Sequence, residues 1–154
     1  MNRKTRRLGS PGFTLIEIMA VVLIIGMLSG IVGFAVFQQV EKARVVTTRT
    51  QIGRLEGSLE LYNMDNGRFP STEQGLDALI SEPTGAPEPV NYQPGGYLKG
   101  GQLPVDAWGN EFQYESPGSN NRDSFDLWSF GKDGVPGGEE TNGDIGNWSE
   151  GRGG

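Results

Sequence analysis

The chain has 154 residues, enough for one modest domain and an extra element. It contains no cysteine and no histidine, which excludes disulfides, Cys- or His-based zinc sites and the usual nucleophile–histidine pairs. The net charge is −6; Arg3, Lys4, Arg6 and Arg7 sit in an acid-free stretch over 1–12, leaving nine basic against 19 acidic residues in the body, a net of −10 that argues against nucleic acid as a partner.

The basic start runs into "FTLIEIMAVVLIIGMLSGIVGFAVF", residues 13–37. As a helix this spans ~37 Å, enough to cross a ~30 Å hydrocarbon core with tilt. The preceding basic residues predict a cytoplasmic N-terminus and a body outside the cytoplasmic membrane. The apolar core is too long for an ordinary secretory signal, and no clear small-x-small site follows it. The order of basic leader, glycine and apolar run instead puts a cut ahead of the helix, between Gly12 and Phe13. Glu17 is the one charge in the run, and a carboxylate in hydrocarbon costs on the order of 2.5–3.5 kcal/mol. Gly26 and Gly30 form a small-xxx-small pair that lets helices approach closely, or else soften the helix locally.

The stretch "SPGFTLIEIMAVVLIIGMLSGI" resembles the processing signal of type IV pilin-like proteins. The resemblance implies a prepilin peptidase that cuts after Gly12 and methylates Phe13. It also implies that Glu17 neutralises the new amino terminus of a neighbouring subunit, so the charge sets helix register during assembly. Glu17 pairing with its own terminus is the plainer alternative. Phe34 stands where the family often has proline, so a proline kink is not expected.

Helical periodicity continues past the apolar run. Val40, Ala43 and Val46 recur at three, and Ile52, Leu55, Leu59 and Tyr62 lie on one face. Asn66–Gly67 reads as a C-cap and Pro70 prevents continuation, so the first helix is predicted over about Phe13–Asp65. A second short helix is predicted over Thr72–Ile80, opened by a Ser71/Gln74 capping box. Residues 81–104 are rich in proline and glycine and read as irregular loop. "EFQYES" and "FDLWSFG" alternate around the turn-rich "PGSNNRD", which predicts an antiparallel hairpin. Trp108, Trp128 and Trp148 read as packing residues, with Ile145 and Trp148 able to dock on the hairpin.

The segment 130–148, "FGKDGVPGGEETNGDIGNW", interleaves Asp133, Glu139, Glu140, Asn142 and Asp144 with glycines. Hard oxygens on a flexible loop suit calcium, though the spacing is not that of an EF-hand, and a solvated acidic turn fits as well. "DNGRFPSTEQGLDALI", "NYQPGGYL", "LPVDAWGNEFQY" and "DGVPGGEETNGDIGNW" are similar to the major pseudopilins of type II secretion systems. That resemblance covers most of the chain. It implies a structural calcium ion held by the side chains of Asp133 and Asp144 and the carbonyls of Phe130 and Val135. Gly143 replaces an aspartate that some members carry, so Asn142 is the expected substitute, with Glu139 or Glu140 behind it.

The resulting expectation is an α+β pseudopilin, not an enzyme: a long N-terminal helix, its first half transmembrane, on a small antiparallel sheet with a calcium-binding C-terminal loop. Its parts are a cleaved leader over 1–12, an assembly segment over 13–37, an amphipathic segment over 38–66 and a globular domain over 67–154. The implied partners are copies of itself, minor pseudopilins, the prepilin peptidase and the inner-membrane secretion platform, with no nucleic acid. The alternatives are a type IV pilin for adhesion, motility or DNA uptake, and a membrane-anchored calcium-dependent domain that never polymerises.

Overall fold

The computed structural model describes residues 12–148; the basic leader at Arg3, Lys4, Arg6 and Arg7 lies outside them. Helix α1 runs uninterrupted over Leu15–Asn66. It ends as its sequence predicts: the Gly67 N–H closes onto the Asn63 carbonyl at 2.7 Å, and proline follows at 70. The chain divides after Gln39 into two compact units. In the first, the apolar side chains from Phe13 to Phe37 whose burial is described are overwhelmingly exposed.

In the second unit α1 supplies the spine of the core. Ile52, Leu55, Leu59 and Tyr62 are buried, as their spacing predicts, against Leu76, Leu79, Phe112, Phe125, Leu127 and Ile145. Full burial of a side chain such as Leu55 or Leu59 contributes ~1.5–3 kcal/mol. Nearer the apolar run the inward face is not the Val40, Ala43, Val46 stripe, which is exposed. Continuing the core face backwards by three- and four-residue steps from Ile52 gives Thr48, Val45 and Glu41. Thr48 is fully buried and its Oγ1 accepts the Ala107 N–H at 3.2 Å.

The predicted second helix is shorter and tighter than expected: a 3-10 helix over Leu76–Leu79. The capping box exists, with Ser71 N–H to Gln74 Oε1 at 3.0 Å and Gln74 N–H to Ser71 Oγ at 3.3 Å. It closes only one turn, because Gly75 takes φ 59, a left-handed conformation that stops the α-helix. Residues 81–104 form no helix or strand. Their backbone is tied to the end of α1 by Asn66, whose Oδ1 accepts the Asn91 N–H and whose Nδ2 donates to Tyr62 O and Tyr97 Oη.

The hairpin is present. Strands β1 (Gln113–Glu115) and β2 (Asp126–Ser129) pair antiparallel, with Tyr114 opposite Leu127. A third strand that the sequence does not announce, β3 (Ile145–Gly146), pairs antiparallel with the other edge of β2, giving the order β1-β2-β3. Two residues are too few for alternation to show. Trp128 and Trp148 pack with ring centroids 5.9 Å apart, and Trp108 packs on the core. Strict alternation fails at Asp126, which is buried although its neighbours Phe125 and Leu127 face the core. Its carboxylate accepts the N–H groups of Asn120 at 2.7 Å and Asn121 at 2.9 Å, so it holds the β1–β2 connection in shape.

Candidate functional site

The first candidate region is the start of α1. Thr14 and Glu17 cap each other: the Thr14 N–H donates to Glu17 Oε2 at 3.4 Å, and the Glu17 N–H donates to Thr14 Oγ1 at 3.3 Å. The spacing T-L-I-E is that of a capping box, a signal legible in the sequence beside the charge-register role considered for Glu17. Gly12 and Phe13 precede the helix and are exposed. A side chain at Gly12 would meet nothing within 4 Å, and the same holds at Gly26, Gly30 and Gly33. The chain's own fold therefore does not require glycine at these positions. By length and composition α1 is also the one described helix able to cross a membrane.

The second region is the loop between β2 and β3. Asp133 is exposed and its Oδ1 accepts the Val135 N–H at 3.3 Å, a turn closed on itself. Asp144 reaches across the loop, and its two carboxylate oxygens lie 3.2 and 3.1 Å from the Gly137 nitrogen. Glu139, Glu140, Asp144 and Arg49 border a shallow depression, while Asp133 is not among its walls. Asn142 is exposed in a short 3-10 turn over Glu140–Asn142, and Phe130 and Val135 flank Asp133. The loop is narrow at its neck. A Cβ at Gly131, where φ is 72, would stand 2.7 Å from the Gly143 carbonyl oxygen and 2.9 Å from that of Thr141. The donor set consists of carboxylates, an amide and carbonyls, all hard oxygens, and so fits calcium by chemistry. Among the described residues no three acidic side chains converge on a common point, and Asp133 and Asp144 are not brought together: each accepts a separate backbone N–H, from Val135 and from Gly137.

Beneath the loop lies a buried polar network that the sequence reading did not find. Asp106 Oδ1 accepts the N–H groups of Trp108 at 2.9 Å and Asn110 at 2.8 Å. Its Oδ2 accepts the Ser129 hydroxyl at 2.6 Å, and Ser129 Oγ accepts the Gly131 N–H at 3.0 Å. Asn110 Nδ2 donates to the Gly131 carbonyl at 2.9 Å. The 106–110 turn thus grips the first residue of the loop. On the helix side, Glu41 Oε2 accepts the Trp108 indole N–H at 3.1 Å, and Oε1 lies 3.5 Å from Lys132 Nζ and 3.6 Å from Arg44. The indole hydrogen bond chiefly, with the charges of Lys132 and Arg44 adding and partial desolvation opposing, holds the Glu41 carboxyl below its ordinary value of 4.5. The D-x-W-G-N run that builds this turn was visible in the sequence, but its partners at 41, 129 and 131 are remote and leave no local trace.

Comparison with known proteins bears on both regions. The family described as type II secretion system protein G matches residues 35–148, and the prokaryotic N-terminal methylation motif matches residues 9–33. The type II secretion system core protein G of Pseudomonas aeruginosa is 46% identical over 143 residues, covering 93% of this chain and 98% of that protein. The Vibrio cholerae protein of the same name is 47% identical over 138 residues, covering 90% and 91%. A crystal structure of the major pseudopilin from the type 2 secretion system of enterohaemorrhagic Escherichia coli superposes with a TM-score of 0.63 at 43% identity, over 73% of this chain and 92% of that one. These matches favour the secretion pseudopilin over an adhesive type IV pilin. With an N-terminal methylation motif leading into an exposed apolar helix, and a helix-on-sheet body matched over 35–148, the chain belongs to the type II secretion system protein G family, the major pseudopilins.

Proposed function

We propose that this major pseudopilin is cut after Gly12 by a prepilin peptidase, methylated at Phe13 and held in the bacterial inner membrane with its N-terminus cytoplasmic and its body periplasmic. From there it polymerises through α1 into a periplasmic pseudopilus, together with minor pseudopilins and on the inner-membrane secretion platform, and helps move folded proteins across the outer membrane. The observation that carries this is the asymmetry of one helix. Ile52, Leu55, Leu59 and Tyr62 are buried within the chain, while Leu15, Ile16, Met19, Val22, Leu23, Leu28, Val32, Val36 and Phe37 are exposed. An apolar surface of that extent is stable only in lipid or against other helices. Gly12 is exposed with open space around it, which is compatible with access by a peptidase.

Glu17 takes the register role. Cleavage places a cationic terminus one residue before Thr14, at the end of a turn that the Thr14–Glu17 cap keeps helical. In a bundle of low dielectric an unpaired carboxylate is costly, and a neighbour's terminus neutralises it. In the C-terminal loop, Asp133 and Asp144, with the carbonyls of Phe130 and Val135 and an oxygen from Asn142, would hold calcium, which would neutralise the clustered acids and fix the loop's two ends. Glu139 and Glu140 are the reserve donors.

The experiment is mass spectrometry of the membrane-bound protein, with electron microscopy of cells producing it alongside its secretion genes. A mature chain starting at N-methyl-Phe13 and Glu17-dependent filaments in the periplasm are expected. A chain that keeps residues 1–12 while secretion proceeds would sink the reading.

A further inference from the structure

Glu41 stands four residues beyond Phe37, and its two carboxylate oxygens have different partners: the Trp108 indole in the 106–110 turn and the Lys132 ammonium in the acidic loop. Both partners are themselves fixed. The Trp108 backbone N–H is bound by Asp106, and the Lys132 backbone N–H donates to the Thr141 carbonyl at 3.0 Å across the loop. Asn110 joins the turn to the loop at Gly131, so helix, turn and loop form a closed triangle with Glu41 at its helix corner. The carboxylate is only one-fifth exposed, and Lys132 directly precedes Asp133.

We infer that Glu41 is a positioning residue that latches the C-terminal loop to α1, so that the order of the 131–144 loop is felt by the helix just beyond its apolar run. The latch rests on geometry alone. Its use, to pass the cation occupancy of the loop to the helix that assembles, rests on the calcium reading above. Glutamine at 41 keeps an acceptor for the indole N–H and loses the ion pair; alanine loses both. Arg44 touches the same carboxylate from the same helix, but no loop contact depends on it.

The test is hydrogen exchange of the full-length chain in detergent micelles, with calcium and with chelator, read on peptides covering 40–50, 104–112 and 131–144. In chelator, Glu41→Ala is expected to speed exchange in the turn and the loop by roughly threefold, the scale set by a partly exposed charge-assisted contact. Glu41→Gln and Lys132→Ala should speed the loop alone, and Arg44→Ala neither. With calcium, wild type should slow in the loop and at 40–50 together, whereas Glu41→Gln should slow in the loop only. Loop exchange in Glu41→Gln and Lys132→Ala equal to wild type in chelator overturns the latch, even if Glu41→Ala fails to fold. Wild-type exchange that ignores calcium overturns the calcium reading and the coupling, while the chelator comparison still decides the latch. Helix slowing that persists in Glu41→Gln overturns the coupling alone.

Discussion

Replacing Asp106 with alanine should be among the most damaging single changes in the globular unit, although it removes no apolar surface. The carboxylate is 4% exposed and accepts three hydrogen bonds of 2.9 Å or less, from Trp108 N–H, Asn110 N–H and Ser129 Oγ. A hydrogen bond to a charged group contributes ~1.5–3 kcal/mol, and a buried donor left without a partner costs ~1–3 kcal/mol. Water entering the vacated space satisfies part of this, and the three losses are not independent. A total of about 3–5 kcal/mol follows. For a unit the size of residues 40–154, each kcal/mol moves Tm by about 3–5 °C, so a fall of roughly 10–20 °C is expected. Asp106→Asn should fall less, since one oxygen still serves the two turn N–H groups. The assay is a near-ultraviolet circular dichroism melt of the full chain in micelles. A drop below about 3 °C for Asp106→Ala would refute the assignment of this network as the clamp between turn and loop.

Replacing Gly12 with a bulky residue should leave the chain at precursor mobility on a gel, and normal maturation would contradict the peptidase reading. Glu17→Leu should stay in the membrane yet lose filaments by electron microscopy; filaments at wild-type number would end the register hypothesis. Chelation should lower Tm of the wild type, by about 2.7 kcal/mol worth of binding if calcium stood at a hundredfold excess over its Kd. Asp133→Ala or Asp144→Ala should remove that difference, and equal melting with and without calcium in wild type would leave the loop a solvated acidic turn. Because the folded-state value of Glu41 lies below the ordinary 4.5, its contribution to stability is present above that value and lost as pH falls through the lowered one. A plot of Tm against pH should therefore be flatter below about pH 4.5 in Glu41→Gln than in wild type.

The parts legible in the sequence are those with a local repeat. The core face Ile52–Leu55–Leu59–Tyr62, the Ser71/Gln74 cap and the end of α1 each show themselves within a dozen residues, and the hairpin within about twenty. What stayed hidden was long-range and polar. Asp106, Asp126 and Asn66 are buried acids and amides that satisfy backbone groups of irregular loops; Asp106 and Asp126 do so partly within six residues, but the Asp106–Ser129 and Asn66–Asn91 contacts reach 23 and 25 residues away and leave no local trace. Glu41 falls beside Val40 in sequence and continues the inward face of α1, which its charge hides, because a carboxylate reads as solvent-facing until its indole partner 67 residues away is known. In the candidate site, the sequence pointed to Asp133 and Asp144, and the structure puts both on one loop, each engaging a different backbone N–H.

The sheet's brevity has a consequence for a protein whose work is to associate. Its two edge strands are three and two residues long, β1 and β3, and neither offers a row of free N–H and C=O groups long enough to template another chain. Subunits crowded side by side in a filament meet at high local concentration, where a long open edge would invite irreversible strand exchange and aggregation. Among the described residues the sheet thus offers no such route, which leaves the proposed assembly to the exposed apolar stretch of α1.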